Sequence, residues 1–372
     1  MKYYIIAGEA SGDLHASNLM KALHLQDTNA DIRFWGGDLM LAAGGTLVKH
    51  YKERQFMGFT EVIVNLRKIL GLLKFCKSDI EKFQPDAIIL IDNSGFNLRI
   101  AKWAKASQFK THYYISPQVW ASRAGRIEKI KKDVDAMYVI LPFEKEFYAK
   151  HDYDVQFVGH PLIDEIADRK QINPNTFRET YHLSKKPIIA LLPGSRKQEI
   201  TKMLSVMLSV VKDYPEYQFV IAGAPSQSFE FYRPFIEKDN VAFISNKTYD
   251  LLSISHAALV TSGTATLETA LFKVPQVVCY KANAISYQIA KRIITLKYIS
   301  LVNLIMDREV VTELIQNDLN TNRLKKALTA ILNKDRRQNL FIDYYDLEKK
   351  LGGKGASQKT AKLIYESLTT KV

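Results

Sequence analysis

Apolar runs rich in β-branched residues recur along the chain without polar alternation, each followed by a segment with the spacing of an amphipathic helix. That order predicts strands at 2–8, 31–36, 87–91, 110–115 and 136–140, with helices at 14–25, 61–83, 98–107, 123–132 and 144–150. Strands that are apolar on both faces belong in a parallel sheet covered by helices. The alternation lapses in polar, Pro-containing sequence near 164–184, Arg169-Lys-Gln-Ile-Asn-Pro-Asn175 among it, and the domain junction is placed there. It resumes with strands at 187–192, 218–222, 241–244, 257–261 and 276–280, helices at 199–213, 249–255 and 265–272, and helical stretches at 284–296 and 323–369. The fold class read from this order is α/β: two doubly wound Rossmann-like domains, 1–168 and 185–345, facing across a cleft, with a helical tail over 346–372 that crosses back to the first.

The turns that follow strands fall at the sheet edge where such folds bind ligands. In the second domain, Ala257-Ala-Leu-Val-Thr261 reads as a buried strand, Ser262-Gly263-Thr264 as a tight turn, and 265–272 as a helix. A helix start of this kind leaves backbone N–H groups unpaired and adds partial positive charge, which makes an anion site. The hydroxyls of Ser262, Thr264 and Thr266, grouped around Gly263 and Ala265, are candidate phosphate donors. Glu268 lies one turn beyond Thr264 on the same helix face; it would repel phosphate and suits sugar hydroxyls. The competing reading is an ordinary strand–turn–helix whose small residues serve packing. Pro193-Gly-Ser-Arg196 ends the domain's first strand, where Gly194 and Ser195 offer donors and Arg196 a charge for a diphosphate.

In the first domain, Gly8-Glu-Ala-Ser-Gly-Asp13 forms the turn after the first strand. Gly8 and Gly12 allow a ligand to approach the backbone, while Glu9 and Asp13 are either cleft carboxylates or helix caps. The motif is not Gly-x-Gly-x-x-Gly, which speaks against NAD. Asp92 ends the strand 87–91; burial there would raise its pKa toward that of a general base, the alternative being an Asx-turn. His112 falls inside a strand and reads as a core residue. His160 lies in a loop where ligand contact is open, with no metal partner spaced beside it.

Composition narrows the partners. A chain of 372 residues is long for one core and suggests two domains. The formal charge of +13 favours anionic partners: nucleotides, nucleic acid or anionic membrane. No zinc spacing or aromatic RNA-binding motif supports nucleic acid. Two distant cysteines, Cys76 and Cys279, a short N-terminal apolar run and no run long enough to span a bilayer point to a cytoplasmic protein. The aromatic, apolar stretch Phe56–Phe75 carries Arg67, Lys68 and Lys74. It reads as a helix that lies on an anionic membrane or lines a greasy groove, or as one that packs on the sheet.

Set in order, Ala7-Gly-Glu-Ala-Ser-Gly-Asp13, Phe56-Met-Gly-Phe-Thr-Glu-Val62, Ile91-Asp92 with Phe96-Asn97, and Tyr114-Ile-Ser-Pro-Gln-Val-Trp120 form a specific series. It continues with Leu141-Pro-Phe-Glu-Lys145, Phe157-Val-Gly-His-Pro161, Leu191-Leu-Pro-Gly-Ser-Arg196, Ser262-Gly-Thr-Ala-Thr-Leu-Glu268 and Tyr298-Ile-Ser-Leu-Val-Asn-Leu304. The series resembles the lipid-A-disaccharide synthases, bacterial glycosyltransferases of the two-Rossmann GT-B type. The resemblance implies transfer of 2,3-diacylglucosamine from UDP-2,3-diacylglucosamine to 2,3-diacylglucosamine 1-phosphate, giving the β-1,6 disaccharide of lipid A and UDP. It implies that UDP binds the second domain through Gly194, Ser195, Arg196, Ser262–Thr266, Glu268 and Asn303. The acceptor would lie near Gly8, Glu9, Ser11, Gly12 and Asp13, and near Ser116, Gln118 and Trp120. Asp92 matches the family's best base candidate, with Glu9 beside it among the catalytic candidates. Arg196 and the helix starting near Thr264 would take the leaving-group charge, so no metal or other cofactor is expected. The sequence departs from the family at Asn93-Ser94-Gly95, where many members carry a Pro and a second Asp, and at Ser122, where an aromatic residue is common. Peripheral attachment to the cytoplasmic face of the inner membrane follows from the lipid substrates; a homodimer is left open and nucleic acid is not expected. The rival readings are a UDP-N-acetylglucosamine 2-epimerase, a peptidoglycan glycosyltransferase, or a non-catalytic nucleotide-sugar-binding adaptor.

Overall fold

The computed structural model describes residues 1–54, 66–122, 124–239, 241–283 and 297–370. Contacts divide the chain into two units: residues Met1–Asp164 with Leu351–Val372, and residues Glu165–Lys350.

In the first unit the apolar runs become β1 (Lys2–Ala7), β2 (Asp31–Gly36), β3 (Thr46–His50), β4 (Ala87–Ile91), β5 (Thr111–Tyr114), β6 (Ala136–Val139) and β7 (Gln156–Phe157). They pair in parallel in the order β3-β2-β1-β4-β5-β6-β7. Every residue of β4 is buried, because helices cover both faces of the sheet. On one face, Leu73, Cys76 and Ile80 of the helix Leu66–Phe83 and Ile100 of the helix Ser94–Ala106 pack against Ile88 and Leu90. On the other, Leu19 and Leu23 of the helix Ala10–Gln26 meet Ile5 and Ile89. Ala361 and Ile364 of the C-terminal helix Ala356–Thr369 complete that second layer. Asp164 caps this last helix, accepting from the backbone N–H of Gly355 at 2.7 Å and Ala356 at 3.0 Å. His160 holds the same segment by donating its backbone N–H to the Leu351 carbonyl at 2.9 Å. Its ring is buried and accepts from the Leu162 N–H, so it supports the fold.

The second unit repeats the plan with β8 (Ile188–Leu192), β9 (Gln218–Gly223), β10 (Ala242–Ser245), β11 (Ser255–Thr261), β12 (Gln276–Tyr280) and β13 (Thr312–Ile315). Their order is β10-β9-β8-β11-β12-β13, again parallel. The strand order therefore reverses twice in the molecule, between β1 and β4 and between β8 and β11. In folds of this kind ligands bind in the crevice beyond the strand ends at such reversals, where neighbouring connections leave on opposite faces.

Three differences from the pattern matter. The first helix starts at Ala10, so Ser11, Gly12 and Asp13 lie in its opening turn rather than in a loop. A Cβ on Gly12 would sit 3.4 Å from the Cβ of Ala7, so the small residue serves close packing of helix on strand. The half-exposed strands β3, β7 and β13 and the helix Phe229–Asp239 were not legible as apolar runs. Residues 56–65 of the apolar stretch and the helical stretch at 284–296 lie outside the described residues.

Candidate active site

The reversal between β8 and β11 carries a hollow of about 410 Å³. Gly194, Ser195, Arg196 and Glu199 line it from the β8 side; Thr261 to Ala265 and Glu268 line it from the β11 side. Gly194 has φ 103° and Gly263 φ 136°, backbone values that side-chain-bearing residues avoid. Gly263 precedes the helix Thr264–Leu271 without any side-chain cap; the Thr266 amide turns back to the Gly263 carbonyl at 3.2 Å, while no side chain caps the amides of Thr264 and Ala265 beside the hollow. The hydroxyls are divided differently from the sequence reading. Ser262 donates to the Ile299 carbonyl at 3.0 Å, and buried Thr266 to the Gly263 carbonyl at 2.8 Å. Both fix the turn, and of the three only Thr264 is exposed; Ser195, across the hollow, is exposed as well. Arg196 is exposed and paired with Glu199 at 3.1 Å, a surface pair weak enough to yield to a diphosphate. Asn303 does not line this hollow. It is fully buried, accepts from the Val310 and Val311 amides and donates to the Val311 carbonyl and to Glu313, so its amide is spent on the β13 approach.

Glu268 is the group with the most altered chemistry here. Desolvation, helped by the nearby charge of Glu165, pushes its carboxyl up to about 7, while a hydrogen bond with the Tyr249 hydroxyl works the other way. The Tyr249 hydroxyl stands beside the Glu165 carboxyl as well, so the three groups form one cluster. Arg169 lies 5.1 Å over the Tyr249 ring and pairs with Asp250, fixing that tyrosine from behind. Glu165, Tyr249 and Arg169 escaped the sequence reading because no local motif joins them; only the fold does.

The reversal between β1 and β4 brings Gly8, Glu9 and Asp92 together. Asp92 and Asn93 both take left-handed backbone, φ 46° and 44°. Such strain in non-glycine residues persists only where the surroundings impose it. Here buried Asn97 donates to the carbonyls of Asp92 (2.9 Å) and Ile91 (3.1 Å), and the Tyr113 hydroxyl donates to the Asp92 carbonyl. The Asp92 side chain remains accessible to solvent, but partial desolvation, and then the charge of Glu9, raise its pKa. Glu9 itself is exposed at the start of its helix and caps nothing. Asp13 departs from the expected ligand role. It is buried, and its carboxylate accepts the amides of Gly37 (2.7 Å), Leu39 (3.1 Å) and Met40 (3.1 Å), tying β1 to the turn after β2. Ser11 is exposed on the same helix start.

Beyond β5, Ile115 is also left-handed at φ 64°, and its N–H donates to the Tyr138 carbonyl at 3.1 Å. Ser116 is buried and donates to Glu144, so its hydroxyl proton is not available to an acceptor. Gln118 is exposed, and Trp120 stands edge-on to Phe143 at 4.9 Å. His112 is buried against Tyr138, and desolvation lowers its pKa to about 4, as suits a neutral core histidine.

A family model described as lipid-A-disaccharide synthetase matches residues 3–366. The chain belongs to the lipid-A-disaccharide synthetase family. Among its relatives, the lipid-A-disaccharide synthase of Syntrophus aciditrophicus is 40% identical over 367 residues, covering 96% of this chain and 95% of that protein. The enzyme of the same name from Coxiella burnetii is 36% identical, covering 97% of each. Among solved structures, UDP-GlcNAc 2-epimerase from Neisseria meningitidis bound to UDP-GlcNAc superposes with a TM-score of 0.65 over 99% of each chain, at 14% identity. That likeness shows the fold, two Rossmann-like domains of the GT-B type, and the family match makes the chain a glycosyltransferase of lipid A biosynthesis.

Proposed function

We propose that this synthetase-family chain transfers 2,3-diacylglucosamine from UDP-2,3-diacylglucosamine to the 6-hydroxyl of 2,3-diacylglucosamine 1-phosphate, with the residues of the two strand-order reversals in distinct roles. The hollow at β8 and β11, with its uncapped helix start, carries the proposal, because it suits a nucleoside diphosphate. The diphosphate lies on the amides after Gly263 with Thr264 and Arg196 beside it, and Glu268 accepts from the ribose hydroxyls. The acceptor hydroxyl attacks the anomeric carbon opposite the phosphate oxygen. The carbon–oxygen bond to UDP breaks as the new one forms, and Asp92 takes the hydroxyl proton. Charge developing on UDP is met by fixed dipoles and Arg196, so the scheme requires no metal.

The substrates are lipids, and the helix Leu66–Phe83 supports their delivery at a membrane. It exposes Leu70 and Phe75 among Arg67, Lys68 and Lys74, apolar and basic groups sharing one outward face. No helix among the described residues is long and apolar enough to cross a bilayer. We assign this face to the anionic surface of the inner membrane. The test is incubation with both substrates carried in anionic vesicles, following disaccharide and UDP by mass spectrometry. Both products should appear, and vesicle binding should weaken as salt rises. Absence of UDP release overturns the reaction; salt-independent binding overturns the membrane face.

Nucleotide binding should also depend on pH. Glu268 has its pKa raised to about 7, so the acceptor form needed for ribose hydroxyls fills as pH rises through that value and empties below it. One pH unit below, UDP affinity should be weaker by up to about ten-fold. Glu268→Gln should flatten the difference, read by titration calorimetry at several pH values; an unchanged slope in the variant removes Glu268 as its source.

A further inference from the structure

At the start of the helix Pro142–Ala149, one carboxylate oxygen of Glu144 reaches back to the backbone that leads into the helix. Its Oε2 accepts the N–H of Leu141 at 2.9 Å and of Ile140 at 3.2 Å. The other oxygen, Oε1, is spent elsewhere: it accepts from the Ser116 hydroxyl, across from a different strand end. Glu144 is 1% exposed, a costly place for a carboxyl, and burial raises its pKa against the pull of its donors. The buried indole N–H of Trp120 is turned toward the same carboxyl without closing a hydrogen bond. The hydroxyl of Tyr148, on the same helix and also buried, faces Ser116. Phe143, the neighbour of Glu144, meets the Trp120 ring edge-on. One short helix thus grips both ends of the loop Ser116–Trp120, whose last two residues open the short helix Val119–Ser122. That loop follows Ile115, a β-branched residue held in left-handed backbone, a conformation that relaxes unless something restrains what comes next.

We propose that Glu144 is a positioning residue for the transfer reaction: through Oε1 it holds the loop Ser116–Trp120 in the shape that receives the acylated sugar acceptor. The proposal rests on the reading that this loop binds the acceptor. A helix cap alone would leave Oε1 to solvent or to water; its burial against Ser116 is the feature a capping role does not use.

The test is steady-state kinetics of the full-length chain with both substrates, together with UDP affinity and thermal midpoint. Glu144→Gln keeps one oxygen for the Ile140 and Leu141 amides but turns an NH₂ toward the loop. Ser116→Ala removes the loop-side partner and leaves the cap untouched, so it stays informative if the first variant folds poorly. Trp120→Ala probes the loop itself. The expected result is a rise of about ten-fold in acceptor KM for both Glu144→Gln and Ser116→Ala, with donor KM and UDP affinity unchanged. If Trp120→Ala raises acceptor KM but Glu144→Gln and Ser116→Ala do not, Glu144 only caps its helix and the proposal is overturned while the acceptor reading stands. If Trp120→Ala also leaves acceptor KM unchanged, the acceptor reading is wrong and the proposal goes with it.

Discussion

Asp92→Asn should lower kcat by about 10²- to 10⁴-fold and leave UDP affinity unchanged. The expectation rests on how the turn is held. Asn97 and Tyr113 both bind the backbone carbonyl of residue 92 rather than its side chain, so the left-handed conformation does not depend on the carboxylate. Asparagine tolerates that conformation as well as aspartate does. The substitution therefore removes proton acceptance and little else. Because the wild-type carboxyl has its pKa raised by desolvation and then by Glu9, the active form accumulates at higher pH than it would for a solvated aspartate. Activity should rise as that form accumulates in the wild type. The departure at Gly95 leaves no second carboxylate in this turn to take over. Near-normal turnover in Asp92→Asn, measured as UDP release under saturating substrates, would show that another group takes the proton.

Gly8→Ala should be the next most damaging change, costing about 1–3 kcal/mol of stability and most of the activity. Gly8 stands beside the Asp92–Asn93 turn rather than in an open loop. A Cβ there would lie 2.2 Å from Nδ2, 2.5 Å from Cγ and 2.8 Å from Cβ of Asn93. Rotating the amide away clears the first two contacts but not the third, so the backbone of residue 93 has to move. Moving it shifts Asp92, one residue upstream. The double variant Gly8→Ala with Asn93→Gly removes the obstructing atoms and keeps left-handed backbone accessible, so it should recover much of both losses. Thermal unfolding and turnover measured on the three proteins decide this. Loss that persists in the double variant would place the role of Gly8 in ligand approach instead.

These two residues mark what sequence could and could not disclose. The apolar runs were enough for the parallel sheets, because strands such as Ala87–Ile91 are buried on both faces and carry no competing pattern. Short edge strands such as Thr46–His50 are only half buried, and nothing in their composition separates them from a loop. Asp92 and Gly8 were legible as strand-end residues, yet the approach of Gly8 to Asn93 beside Asp92 was not, since it depends on β1 pairing with β4. The hydroxyls show the same limit. Ser262 looks like a phosphate ligand until the carbonyl of Ile299, 37 residues further on, takes its proton. Asp13 looks like a cap or a ligand, and becomes a clamp only because Gly37, Leu39 and Met40 are brought to it. Residue type and local spacing indicate where polar chemistry gathers. Tertiary partners decide which of those groups remain open to a substrate.

The first unit is discontinuous, and this bears on how the protein is made. Its second layer needs Ala361 and Ile364 from the end of the chain, and the start of that last helix is capped by Asp164. Synthesis runs from the N-terminus, so all of Glu165–Lys350 emerges before the first unit can close. Until then the nascent chain exposes the apolar side of the helix Ala10–Gln26 that the last helix covers, a surface open to chaperones and to aggregation. A stop codon anywhere before residue 356 would therefore injure the half of the molecule most distant from it along the chain.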